Sequence, residues 1–95
     1  MVKKNKTKAE IKYESLLKTS QWQEKRNKIL SRDRNQCLNC SAGNNLEIHH
    51  KQYHFDQKKG QMVLPWEYED KYLITLCSKC HETGHQLYKV PVYTI

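Results

Sequence analysis

The sequence predicts a small α+β domain, held by a metal staple and preceded by one or two basic helices. Three observations predict it. Two Cys-x2-Cys pairs, Cys37/Cys40 and Cys77/Cys80, frame the second part of a chain of 95 residues. Apolar residues fall at helical spacing before Cys37 and alternate with polar ones after it. The basic excess is confined to the first part: residues 1–36 carry eleven Lys and Arg against four Asp and Glu, whereas residues 37–95 carry six of each.

The length allows one domain and excludes a doubly wound or barrel enzyme. Only 37% of the residues are apolar. Ordering the chain costs ~1–2 kcal/mol per backbone residue, and a core this lean needs a staple. Four Cys and five His supply the material. No apolar run approaches the ~20 residues of a membrane span, so no membrane association is expected. The amino terminus has basic residues without an apolar stretch behind them, unlike a secretory signal. The expected compartment is therefore the reducing cytoplasm, where paired Cys bind metal more often than they form disulfides.

The division expected is a basic helical arm over residues 1–36 and a compact module over residues 37–95. Lys3, Lys4, Lys6 and Lys8 form a solvated start. Thr7 followed by Glu10 fits a capping box, predicting a helix from about Lys8 to Lys18 with Tyr13, Leu16 and Leu17 on one side. Ser20 followed by Gln23 predicts a second helix from about Gln21 to Asp33. Trp22, Ile29 and Leu30 would face inward, and Lys25, Arg26, Lys28 and Arg32 outward. Residues 41–45 are a turn cluster. Leu46-Glu47-Ile48-His49 alternates as a half-buried strand does. Residues 51–70, polar and aromatic-rich with Gly60 and Pro65, read as a long loop anchored by Tyr53, Trp66 and Tyr68. His54 falls in that loop and has no assigned role. Tyr72-Leu73-Ile74-Thr75-Leu76 is a second strand, Ser78 opens a helix to about Leu87, and Val90–Thr94 is an edge strand.

The cysteine pairs lie 36 residues apart. A two-residue gap lets both sulfurs of a knuckle converge on one ion, and two knuckles complete a tetrahedron. No position stays open for water, so a zinc ion held by Cys37, Cys40, Cys77 and Cys80 would be structural. Its binding, ~10–16 kcal/mol in finger peptides, outweighs the closure entropy of the intervening chain. Two disulfides conflict with the compartment, and a redox dithiol would need one pair and not two.

The stretch from Cys77 to His85 also matches a c-type haem attachment signal (Cys-x2-Cys-His) and a zinc-peptidase helix (His-Glu-x2-His). The first requires export and leaves Cys37 and Cys40 idle. The second requires a third ligand and a cleft, and the ten residues after His85 hold no acidic residue or His. A third reading includes His49 and His50. His81 and His85, at i and i+4, share one helix face. The knuckles bring that helix to the strand ending in His49-His50. Three imidazoles on one ion leave positions open, as catalytic sites do. The remaining imidazole is a natural general base. Adjacent strand residues point to opposite faces, so one His of the pair is ligand and the other base; spacing does not say which.

With Cys-x2-Cys, then Leu46-Glu47-Ile48-His49-His50-Lys51, then Tyr72-Leu73-Ile74-Thr75-Leu76-Cys77-x2-Cys80-His81 and finally His85, the chain resembles the HNH endonuclease family. The resemblance spans residues 37–85, about half the chain. It implies a zinc-stapled ββα-metal (HNH) domain in which His49 and His81, with His85 as the third ligand found in some members, hold a catalytic divalent cation and His50 is the general base; Mg2+ or Mn2+ is the expected ion, while imidazole ligands also suit Zn2+ and Ni2+. The cysteine quartet corresponds to the structural Zn2+ of one branch of the family. The activity implied is hydrolysis of DNA phosphodiester bonds, by nicking or double-strand cleavage, leaving a 5′-phosphate. One departure stands out: the family's middle Asn, due near Tyr72, is missing, since no Asn occurs between His50 and Cys80. Tyr72, Asp70 or Tyr68 is the candidate replacement. DNA phosphates would meet Lys25, Arg26, Lys28, Arg32 and Arg34, with Lys51 and Lys79 beside the scissile strand. The alternative is a zinc-ribbon nucleic-acid-binding protein without catalysis, which shares the basic arm and the cysteines but has no need of the four His.

Overall fold

The computed structural model describes residues 13–95. The Thr7/Glu10 capping box and the start of the first expected helix lie outside those residues, whose first helical segment is residues 13–16. The next helix, α1 (Ser20–Arg32), begins one residue earlier than its sequence pattern suggested. Thr19, not Ser20, is the cap, because Thr19 is the extended residue at the junction. Its hydroxyl accepts from the Trp22 amide at 3.3 Å and donates to the Leu16 carbonyl at 2.7 Å, tying the two helical segments together. The far end closes by backbone bonds from Arg34 to Ser31 (3.1 Å) and from Asn35 to Leu30 (2.8 Å). This places Arg34 in the left-handed region, with φ 59°, where glycine is the usual residue.

Two antiparallel strands, β1 (Leu46–His50) and β4 (Leu73–Cys77), form the central hairpin. In their register His49 faces Ile74 and His50 faces Leu73. One face is apolar: Ile48 and Leu73 pack against Trp22 and Ile29 of α1, with Tyr68 closing the core. The basic helix therefore shares its hydrophobic core with the cysteine-framed part of the chain. The other face carries the second helix, α2 (Ser78–Leu87), which begins where β4 ends. None of its residues is fully buried, so its placement depends on its amino-terminal end.

Residues 51–70 are more ordered than a long loop. They contain β2 (Tyr53–Asp56), β3 (Gln61–Met62), and 3-10 turns at Pro65–Glu67 and Asp70–Tyr72. The β2–β3 turn is fixed by Asp56, whose carboxylate accepts from the amides of Lys58 (3.0 Å) and Lys59 (3.2 Å). Gly60, at φ 63°, completes it. The strand β5 (Val92–Thr94) pairs parallel with β2. That pairing joins residues about forty positions apart, which explains why the segment carried no clear local strand pattern.

Candidate metal centres

The four cysteines converge from two structures of opposite kind. The first pair sits in a tight turn in which Ser41 N–H bonds to the Cys37 carbonyl and Cys37 N–H to the Ala42 carbonyl, each at 2.8 Å. Leu38 N–H reaches the Thr75 carbonyl at 3.0 Å and fastens this knuckle to β4. The second pair sits at the start of α2, with Cys77 rather than Ser78 as the cap residue. Among the described residues the four ligand sulfurs lie within 4.8 Å of one another. Cys40 and Cys77 sulfurs are 3.6 Å apart, far beyond a disulfide bond. A Zn–S length of ~2.3 Å gives a tetrahedral edge of ~3.8 Å, so the donor set fits an ion such as zinc.

The electrostatics also favour a cation there. Burial pushes the Cys37 thiol up, but amides of Cys77, Cys40 and Asn39 outweigh it and draw the thiol down to about 6. Cys40 goes the other way. The Ala42 amide favours its thiolate, yet the crowding sulfurs of Cys77, Cys80 and Cys37 push it up to about 12. Four adjacent thiols cannot all ionise unaided, and a divalent cation removes that conflict.

A second group of donors lies on the α2 side of the hairpin. Nitrogens of His49, His81 and His85 come within 4.8 Å of one another. His81 Nε2 and His85 Nε2 are 2.9 Å apart, close to the ~3.0 Å edge of an octahedral ion and shorter than the ~3.4 Å edge of a tetrahedral one with nitrogens at ~2.1 Å. Burial first, then the neighbouring imidazoles of His81 and His85, lower the His49 pKa to about 4. Burial and His81 lower that of His85 as well. Both rings are thus neutral, as ligands must be, at neutral pH.

His50 points the other way, into the core. It is 4% exposed and enclosed by aromatic rings: Trp22 and Tyr53 stack on it at 5.3 and 5.2 Å, and Tyr13 and Tyr68 present edges at 6.3 and 5.0 Å. Its Nε2 lies 3.2 Å from the Pro65 carbonyl. A carbonyl only accepts, so Nε2 carries the proton and Nδ1 keeps its lone pair. Burial lowers the His50 pKa to about 4, against the pull of that carbonyl. A cavity of about 470 Å³ runs along β1 and is lined by both His50 and the pair His81 and His85, together with Arg26 and Trp22.

The cations of α1 are less available than their outward spacing suggested. Lys25 and Lys28 both pair with Asp70, the latter at 3.1 Å. Arg32 binds the Asp33 carboxylate at 2.8 Å and donates to the Asp70 and Leu73 carbonyls, each at 2.6 Å. Arg26 donates to the Leu46 carbonyl at 2.9 Å while lining the cavity. These side chains fasten the helix to the hairpin, because β1, β4 and the Asp70 turn offer acceptors that the sequence places 20 to 45 residues away. Arg34, Lys51 and Lys79 are exposed.

Of the three candidate replacements for an asparagine, Asp70 is taken up by lysines and the Tyr68 hydroxyl accepts from the His54 amide at 2.9 Å. Tyr72 contributes its backbone, whose carbonyl accepts from Lys51 N–H at 2.8 Å and extends the hairpin past His50. Two participants escape the sequence reading. Glu47 bonds to His81 Nδ1 at 2.9 Å; its signal is the two-residue spacing that puts it on the same strand face as His49. The Pro65 carbonyl leaves no side-chain signal at all. No family model, curated protein or solved structure matches this chain. Among the described residues no helix is long and apolar enough to cross a membrane.

Proposed function

We propose that this protein is a metal-dependent endonuclease of the HNH kind, hydrolysing phosphodiester bonds of DNA. The observation that carries the proposal is the pairing of two unlike imidazole environments on one strand. His49 joins His81 and His85 in a group of donors, while its neighbour His50 points to the opposite face of the strand, bonds to the Pro65 carbonyl and lines a cavity that also reaches His81 and His85. The succession β1, β4, α2 supplies the ββα frame of such a site.

His50 acts as general base. Its Nδ1 takes a proton from water as the water oxygen bonds to phosphorus and the bond from phosphorus to the 3′ oxygen breaks, with that oxygen leaving to be protonated by solvent. The low pKa of the buried ring keeps it unprotonated beforehand, and an arriving phosphodiester anion raises its basicity by stabilising the imidazolium. A divalent cation held by His49, His81 and His85 would stabilise the charge developing on the phosphoryl and leaving oxygens. Arg26, in the cavity wall, and the exposed Arg34, Lys51 and Lys79 offer charge to the backbone of the nucleic acid.

The test is a plasmid-nicking assay with Mg2+, Mn2+, Zn2+ or Ni2+, with and without chelator, on the full chain and on His50→Ala. Metal-dependent nicking that His50→Ala abolishes, with zinc content retained, is expected. DNA binding without nicking across all four ions would replace the nuclease with a non-catalytic zinc-ribbon binder.

A further inference from the structure

Glu47 has no part in the cysteine centre, and its carboxylate is not among the ligand atoms that converge with His49. It nevertheless makes the contact that decides which nitrogen His81 presents. A carboxylate accepts, so at 2.9 Å His81 Nδ1 is the donor. The lone pair then resides on Nε2, the atom 2.9 Å from His85 Nε2. Glu47 and His49 are two residues apart on β1 and share a face, so one strand supplies both a ligand and the group that orients a ligand on another element.

The bond also spans the gap between β1 and α2. Because α2 buries none of its own residues, the torsion of the His81 ring is not set by core packing. His81 rests edge-on to His49 at 4.9 Å, a contact that does not by itself choose between the two ring flips, which exchange each nitrogen with a carbon. The Glu47 carboxylate removes that freedom. It also makes the imidazole a stronger ligand, because accepting the N–H pulls on the proton and pushes electron density onto the ring and Nε2, as carboxylate–histidine pairs do in metal sites.

We infer that Glu47 is a positioning residue for the imidazole centre, fixing the His81 tautomer and raising the affinity of the site for a divalent cation. The inference rests on the reading of His49, His81 and His85 as ligands. The experiment is titration calorimetry of Ni2+ into the zinc-loaded full chain, for wild type, Glu47→Gln and Glu47→Ala, with zinc content measured in each. Glutamine keeps an acceptor oxygen without the charge, so affinity should fall modestly in Glu47→Gln and by ~10–100-fold in Glu47→Ala. Nitrogen-15 spectra of metal-free protein should show His81 with its proton on Nδ1 in wild type and a mixture of tautomers in Glu47→Ala. Affinity of Glu47→Ala within about twofold of wild type overturns the inference and leaves the nuclease reading intact. A wild type that binds no Ni2+ beyond its zinc overturns both.

Discussion

Replacing Asp33, the buried residue that follows α1, by alanine should destabilise the domain. Asp33 is 5% exposed and terminates the helix. Its carboxylate accepts from the Thr75 amide at 3.0 Å and from Arg32 Nε and Nη2 at 2.8 and 3.0 Å. Thr75 lies in the middle of β4 and is wholly buried, with its amide turned away from β1. Alanine leaves that N–H without a partner, a loss of ~1–3 kcal/mol for an unsatisfied buried group. The part of the pair with Arg32 that faces solvent adds at most ~1 kcal/mol. A total of about 1–4 kcal/mol corresponds to a fall in Tm of ~4–20 °C for a domain of this size. Asparagine retains one acceptor oxygen for Thr75 and should lose about half as much. Thermal melts followed by circular dichroism on zinc-loaded protein measure both. An alanine variant melting within ~3 °C of wild type would refute the claim that this carboxylate supplies the outer edge of β4.

Four further outcomes follow from the same contacts. Burial pushes the Asp33 carboxyl up, but the bonds from Arg32 and Thr75 outweigh it and hold its pKa below the ordinary 3.8. The contact is therefore fully stabilising above that value and is lost as pH falls through the depressed native one, so the Tm gap between wild type and Asp33→Asn should narrow in acid; a constant gap contradicts the sign. Cys77→Ser keeps a hydroxyl able to cap α2 but removes a sulfur of the metal centre, and should abolish both bound zinc and a cooperative melt; unchanged metal content by mass spectrometry would count against the staple. Trp22→Ala should cost ~3–5 kcal/mol, since the indole is both core and wall of the His50 cage, and chemical denaturation that shows under ~1 kcal/mol would contradict the shared core. Arg34→Gly relieves a left-handed arginine and should stabilise by ~1 kcal/mol while lowering the salt slope of DNA binding by about one; a lower Tm would show that the strain is absent.

The parts of this architecture that were legible in the sequence are those set by short spacing. Cys-x2-Cys, the i, i+4 pair His81 and His85, and the alternation of residues 46–49 each encode their geometry within one turn or one pleat. The end of α2 at Leu87 was equally readable. What escaped depends on groups brought together over long separations. The lysines of α1 read as outward because Asp70, their partner, lies 45 residues from Lys25. Strand β2 was hidden because half of its pairing comes from β5 at the end of the chain. The capping residues were displaced by one in both helices because Ser20 and Ser78 look like better caps than Thr19 and Cys77, and only backbone conformation decides between neighbours. Glu47 looked like the polar partner in an alternating strand; its role depends on a helix 34 residues away.

Cys77 closes β4, opens α2 and belongs to the sulfur centre, so three tasks converge on one residue. His49 depends on the strand side of that junction, and His81 and His85 on the helix side. On the proposed reading, filling the sulfur site would come before assembly of the imidazole group. Loss of an ion from the sulfur centre would therefore be expected to disperse the three imidazoles without touching any of them.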